Sequence, residues 1–355
     1  MFSLDDISQI EKLDKGGVRD SLAQLHNQAE QAWNEVWQID LPKNCHLVEN
    51  VVVSGMGGSG LGARVVDSLV SSRVWVPLEL FSDYFLPNYV NKNSLVIISS
   101  YSGNTEETIS SFEYALKKKA QVFIITTGGK LAELAKKKHL PAYIFKPWAN
   151  PAAQPRLALG YSIVSILTLL CRLRLVAIEE DEVRGGIATL RKFVEEFSLE
   201  KKEKENVAKK LAKILKGKIP VIVASEHLWG SAHTFKNQLN ETSKTFAVCF
   251  DIPELNHHLM EGLRNPALAK KYLYFLFLES KLYSSQIVKR YKLTKEVVDK
   301  NGVDQNSYTF RSGGVTNQVF EALALSSWVS YYLAMLYGID PQVIPWVNYF
   351  KQKML

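Results

Sequence analysis

Two short stretches of the chain set hydroxyls and glycines where an anion would be held. The segment SSYSGNTEET, Ser99 to Thr108, puts the hydroxyls of Ser100, Ser102 and Thr105 beside Gly103 and Asn104 in one turn. Hydroxyls and backbone N–H groups at a helix start can surround the oxygens of a phosphate monoester. Thr105 with Thr108 ahead of an apolar run also reads as a plain N-cap. The segment SGMGGSG, Ser54 to Gly60, makes a second such turn from Gly57, Gly58 and Ser59. Glycine there lets the backbone approach a ligand closely, and free N–H groups favour an anion. Gly55, Gly57 and Gly60 also fit G-x-G-x-x-G, with Glu79 ending the next strand as the acidic ribose ligand of a dinucleotide site. A tight turn with no ligand is the plainer alternative. The Ser99–Thr108 turn weighs against a nucleotide, because it has hydroxyls and no P-loop lysine. Together the turns favour a ligand with one phosphate and several hydroxyls.

The elements around these turns predict an α/β fold. LVENVVVSG, WVPLELFS, SLVIISS, QVFIITT and AYIF are short β-branched or aromatic runs of strand length. Segments of helical period, such as LGARVVDSLV and TEETISSFEYALKKK, separate them. Strands alternating with helices imply a parallel sheet. IPVIVASE, TFAVCFDI and YLYFLFLES repeat the pattern later, before a long helix through VFEALALSSWVSYYLAMLYG. VVVSGMGGSGLGARVVDSL from Val51 aligns without gaps on VIVASEHLWGSAHTFKNQL from Val221, pairing Gly60 with Gly230 and pointing to a duplication. Residues 1–40 read as N-terminal helices on the main body, 41–178 as a first domain, 179–205 as a charged helical bridge and 206–355 as a second domain.

Composition excludes several classes of protein. Of 355 residues, 46% are hydrophobic and 22% charged, which is globular rather than disordered or collagenous. Cys45, Cys171 and Cys249 are too few and too far apart for a disulfide framework or a zinc site, so a reducing compartment is expected. The polar, acidic N-terminal segment reads as no secretory signal. The most apolar stretch, Leu157 to Cys171, falls short of the about 20 residues that span a bilayer and reads as a core helix. The expectations are therefore a cytoplasmic protein with no membrane partner. The net charge of +7 does not come from one basic face; runs such as Lys117 to Lys119 fall at helix ends, where cations favour the dipole. No nucleic-acid partner is expected, and a modest positive field suits a phosphorylated metabolite.

SGMGGSG together with SYSGNTEET resembles the sugar isomerase (SIS) domain. NETSK (Asn240 to Lys244), PELNHH (Pro253 to His258), YLAMLYGIDP (Tyr332 to Pro341) and the terminal VNYFKQKML narrow the resemblance to the bifunctional phosphoglucose/phosphomannose isomerases. It runs from about residue 20 to the end, with four separate motifs in order. The family implies two tandem SIS domains, a homodimer, and interconversion of glucose 6-phosphate and mannose 6-phosphate with fructose 6-phosphate, with no metal or cofactor. Carried onto this sequence, Gly57, Gly58 and Ser59 line the sugar site and Ser100, Ser102 and Thr105 hold the phosphate. Arg156 steadies the intermediate, Glu241 is the base, and His257 with Lys351 assists ring opening. The chain departs from the family pattern at Gln342, Val343 and Ile344, which leaves the glucose-to-mannose preference open.

The chemistry suits those residue types. Moving a proton between adjacent carbons through an enediol needs one carboxylate that takes and returns it, and Glu241 fits. As a bare helix residue Glu241 would be an N-terminal carboxylate before Thr242 and Ser243. A guanidinium such as Arg156 stabilises the enediolate without titrating. Opening the sugar ring calls for an imidazole near neutral pH. In extended chain His257 and His258 would face opposite sides, so one alone enters the site; register with PELNH selects His257. No H-E-x-x-H or Cys/His spacing supports a metal. The rival functions are an amino-sugar phosphate isomerase, a non-catalytic sugar-phosphate-binding regulator and a nucleotide-dependent dehydrogenase.

Overall fold

In the computed structural model the described residues are 3–42, 45 and 47–354, so the Leu355 that ends the VNYFKQKML motif lies outside them. The chain divides into two compact units, Gln24–Arg191 and Met1–Ala23 with Lys192–Leu355. The first two helices, α1 (Ile7–Leu13) and α2 (Val18–Ala23), belong with the C-terminal half of the chain, whereas α3 (Leu25–Trp37) belongs to the other unit.

In the unit Gln24–Arg191, strands and helices alternate: β1 (Asn50–Gly55), α4 (Gly57–Val70), β2 (Leu78–Phe81), β3 (Ser94–Ser99), α5 (Glu106–Lys117), β4 (Gln121–Thr126), α6 (Gly129–Lys137) and β5 (Ala142–Ile144). All strands are parallel, in the order β2-β1-β3-β4-β5, with Val52 opposite both Glu79 and Val96. Val51, Val52 and Val53 are each 0% exposed, as expected of a central strand covered on both faces. Lys117 ends α5, and Lys136 and Lys137 lie in the last turn of α6, so these basic runs do complement helix dipoles. The apolar stretch expected as one helix is a 3-10 turn, Pro155–Leu157, followed by the buried α7 (Leu159–Arg172). The division between the units falls within α8 (Glu180–Glu196), inside the segment read as a bridge.

The other unit continues with α9 (Val207–Leu215), β6 (Ile219–Ala224), α10 (Trp229–Thr242), β7 (Val248–Asp251), α11 (Leu259–Gly262), α12 (Ala269–Tyr272), β8 (Leu273–Glu279), α13 (Ser285–Lys300), β9 (Asp304–Thr309), α14 (Val315–Leu336) and α15 (Pro345–Met354). Its parallel sheet runs β7-β6-β8-β9. Strand β9, DQNSYT, is too polar to stand out in the sequence, which an edge position permits. Helix α14 is long and apolar enough to cross a membrane, yet its apolar window is 100% buried inside the protein. Glu321 is tolerated there because its carboxylate accepts from the Tyr308 hydroxyl (2.7 Å) and from the Ser312 hydroxyl (2.6 Å) and N–H (2.9 Å). The N-terminal segment is fastened to this unit by a fully buried Lys209, which donates to Asp5 at 3.0 Å, and by the Tyr331 hydroxyl, which donates to Asp14 at 3.1 Å.

Candidate functional site

Doubly wound sheets bind ligands outside the carboxyl ends of their strands, where the strand order reverses. In the unit Gln24–Arg191 that point lies between β1 and β3. Both anion-suited turns issue from it, since β1 ends at Gly55 and β3 at Ser99.

The β1–α4 turn leaves its backbone open. Gly57, at φ +48°, is exposed, and a Cβ there would meet no atom within 4 Å. Gly58 is glycine for another reason: a Cβ would come within 2.6 Å of the backbone of Pro155 and Arg156. No side chain caps α4, and the Ser59 and Gly60 N–H groups donate to the Met56 carbonyl (3.1 and 3.3 Å), so an anion would meet the N–H groups of Gly57 and Gly58. Ser59 joins the two turns. Its Oγ accepts from the Tyr101 N–H at 2.9 Å, and its carbonyl accepts from the Ser99 hydroxyl at 3.1 Å.

In the β3–α5 turn the hydroxyls of Ser100 and Thr105 lie 2.9 Å apart. The Gly103 N–H donates to Ser100 Oγ at 3.2 Å and the Asn104 N–H to Ser102 Oγ at 3.3 Å. Thr105 stands at the N-cap of α5, but its side chain makes no capping hydrogen bond, so the plain N-cap alternative fails. Ser100 is buried, Thr105 half-buried and Ser102 exposed, a gradient from the floor of the cradle to its rim.

Arg156, only 1% exposed, lies in the 3-10 turn that passes Gly58. Its Nη1 donates to Gln154 Oε1 at 3.0 Å. Asn150 Nδ2 donates to the Gln154 carbonyl at 3.1 Å and to the Tyr101 hydroxyl at 3.0 Å, tying this loop to the hydroxyl turn. From α3, the fully buried Gln28 donates to the carbonyls of Ala149 (3.0 Å) and Leu157 (2.9 Å). Ala153 is held at φ +53°, a strained state for a residue with a Cβ, such as surrounding structure enforces at functional loops. Burial raises the pKa of the Tyr101 phenol, keeping it protonated and able to donate. A small pocket behind Gly58, Ser59 and Tyr101 is lined by Ile125, Phe145 and Tyr161. Sequence reasoning missed Tyr101, Asn150, Gln154 and Gln28. Position within the hydroxyl turn could have pointed to Tyr101; the others carry no sequence signal.

The unit Gln24–Arg191 thus brings together Gly57, Gly58, Ser59, Ser100, Ser102, Thr105 and Arg156. Glu241, His257 and Lys351 belong to the other unit, on three separate elements. Glu241 is half-buried in the last turn of α10, not at a helix N-terminus. A carboxylate there faces the negative end of the dipole, so helix support does not explain it. His257 ends a 3-10 turn, Glu254–His257, rather than lying in extended chain, and is exposed. His258 lies 3.9 Å from Glu254 and beside the Phe250 ring, which gives it structural company. Lys351 is exposed on α15. Glu79 is the second residue of β2, before the strand's carboxyl end, and takes a hydrogen bond from the Tyr89 hydroxyl. The dinucleotide reading loses its ribose ligand. Among the described residues no group of three or more His, Cys, Asp or Glu could hold a metal ion.

Residues 204–354 match the family described as bacterial phospho-glucose isomerase C-terminal SIS domain. The bifunctional phosphoglucose/phosphomannose isomerase of Caldicellulosiruptor bescii is 32% identical over 342 residues, covering 94% of this chain and 98% of that one. The protein of the same name from Aquifex aeolicus is 31% identical over 341 residues, covering 94% and 99%. In fold, the crystal structure of a hypothetical protein from Thermus thermophilus matches with a TM-score of 0.75 at 16% identity, over 99% of this chain and 92% of that one.

Proposed function

Because this chain belongs to the bifunctional phosphoglucose/phosphomannose isomerase family, we propose that it interconverts glucose 6-phosphate and mannose 6-phosphate with fructose 6-phosphate through an enediol. The observation that carries this reading is the β3–α5 turn at the β1/β3 reversal, where the Thr105 side chain is not spent on capping the helix. The hydroxyls of Ser100, Ser102 and Thr105 take the phosphate, and Gly57, Gly58 and Ser59 border the sugar. The Arg156 guanidinium, oriented by Gln154, stabilises the charge that develops on oxygen in the enediolate. Glu241 moves the proton between C1 and C2, and His257 with Lys351 opens the ring. The same reading makes the chain a cytoplasmic homodimer, which light scattering checks for subunit number.

Fructose 6-phosphate supplied to chelator-treated protein is expected to give both glucose 6-phosphate and mannose 6-phosphate, assayed separately. If neither forms, the reading fails and a binding regulator takes its place. Glu241→Gln is expected to lower isomerisation of every substrate by about a hundredfold or more, the scale of a lost general base. His257→Ala should regain part of its rate on a sugar phosphate too short to cyclise, whereas Glu241→Gln should not. Complete retention of the carbon-bound proton in heavy water would indicate a hydride shift and remove Glu241 from its role.

A further inference from the structure

Lys244 closes the NETSK segment just past α10, at φ +53°, in the left-handed region where glycine usually follows a helix. A lysine in that conformation is strained, and what it gains is visible in its contacts. Its ammonium donates to the carbonyls of Thr242 (3.0 Å), Asp340 (2.8 Å) and Pro341 (3.3 Å). The first belongs to the turn of α10 that carries Glu241; the other two belong to the segment leading into α15, which carries Lys351. A compact ammonium with three donors suits three carbonyls converging from two segments.

Helix α15 has little packing of its own to fix it. None of its residues is buried, and Trp346 is 80% and Phe350 62% exposed. A ten-residue helix is marginal in water without packing, so its direction depends on the segment before it. In that segment the Gln342 N–H bonds locally, to Asp340 Oδ1 at 2.8 Å, and the Gln342 side chain lies against Gly16. The Lys244 clamp ties the same segment to the end of α10.

We propose that Lys244 is a positioning residue that fastens the leader of α15 to the Glu241 end of α10 and so sets where Lys351 stands. The assignment rests on the roles given above to Glu241 and Lys351. Lys244→Gly separates the clamp from the turn, because glycine suits φ +53° and keeps the helix end intact. The expected result is a thermal midpoint at or above that of the unmodified protein, with kcat on fructose 6-phosphate lowered roughly tenfold and KM nearly unchanged, as for a displaced catalytic group. Loss on a substrate too short to cyclise should be smaller, since Lys351 serves ring opening. Backbone hydrogen exchange over residues 340–354 should quicken, and Lys244→Arg should restore part of kcat. An unchanged kcat, unchanged exchange over that segment, or a fall in thermal midpoint that accounts for the lost rate overturns the proposal. If the unmodified protein isomerises no hexose phosphate, the functional reading fails and the catalytic assignment with it; quickened exchange in Lys244→Gly would mark that outcome as a failure of the function rather than of the clamp.

Discussion

The two sheets reverse strand order in the same way, between β1 and β3 in one and between β6 and β8 in the other, but only one reversal is left open. At the first, Gly57 has free space on its Cβ side and the Thr105 side chain leaves α5 uncapped. At the second, the chain has filled the corresponding place with its own groups. The Glu226 carboxylate accepts from the Ser284 N–H (3.1 Å) and hydroxyl (2.8 Å), lying at the N-terminus of α13 where an anion would lie. His227, 6% exposed, pairs with Gln318 Oε1 at 2.9 Å, and the Ser280 hydroxyl donates to the same oxygen at 2.6 Å. In the alignment of the two halves, Met56 and Gly57 fall opposite Glu226 and His227. Two sheets of like strand order thus yield a cradle where glycine stands and a polar plug where side chains stand. A helix N-terminus offers the same dipole in both cases; what differs is whether the protein itself supplies the negative charge.

That contrast makes the largest effect fall on the open side. Ser100→Ala with Ser102→Ala should weaken apparent substrate affinity by about 3 kcal/mol, at about 1.5 for each charge-assisted hydrogen bond, whereas Ser284→Ala at the plugged reversal should leave it unaltered. Equal effects from the two would erase the distinction. A smaller change is expected at Arg156→Lys, which keeps the charge and loses the planar fork: kcat should fall roughly tenfold, more than KM rises. A change in KM alone would move Arg156 to holding the phosphate in the ground state. The smallest effect is expected from Glu226→Gly. Loss of a carboxylate at a helix start, about 1 kcal/mol, is offset by relief of a side chain held at φ +47°, so stability should stay within about 1 kcal/mol and isomerase rate should not change. Chemical denaturation and steady-state assay of the one variant measure both. A large fall in rate would mean that the plugged reversal takes part in the chemistry.

The alternation of β-branched runs with helical periods was sufficient to predict the α/β class with parallel sheets, because strand and helix periodicities are local properties of the chain. The two turns at the β1/β3 reversal were legible for the same reason: SGMGGSG and SYSGNTEET each hold their hydroxyls and glycines within a few residues. What the tertiary structure alone decided comes from contacts between residues far apart in the chain, which leave no period to read. Gly58 needs to be glycine because Pro155 and Arg156 pass it, and Arg156 is placed by Gln154 in a loop that Asn150 and Gln28 hold. The first 23 residues belong with the C-terminal half through ties such as Asp5 to Lys209 and Asp14 to Tyr331. Polar β9 is a strand because β8 supplies its hydrogen bonds, from Tyr274 opposite Asp304 to Glu279 opposite Thr309. The plug at Glu226 has the same origin: the sequence places a carboxylate after β6, and only the fold brings Ser284, 58 residues further on, to receive it.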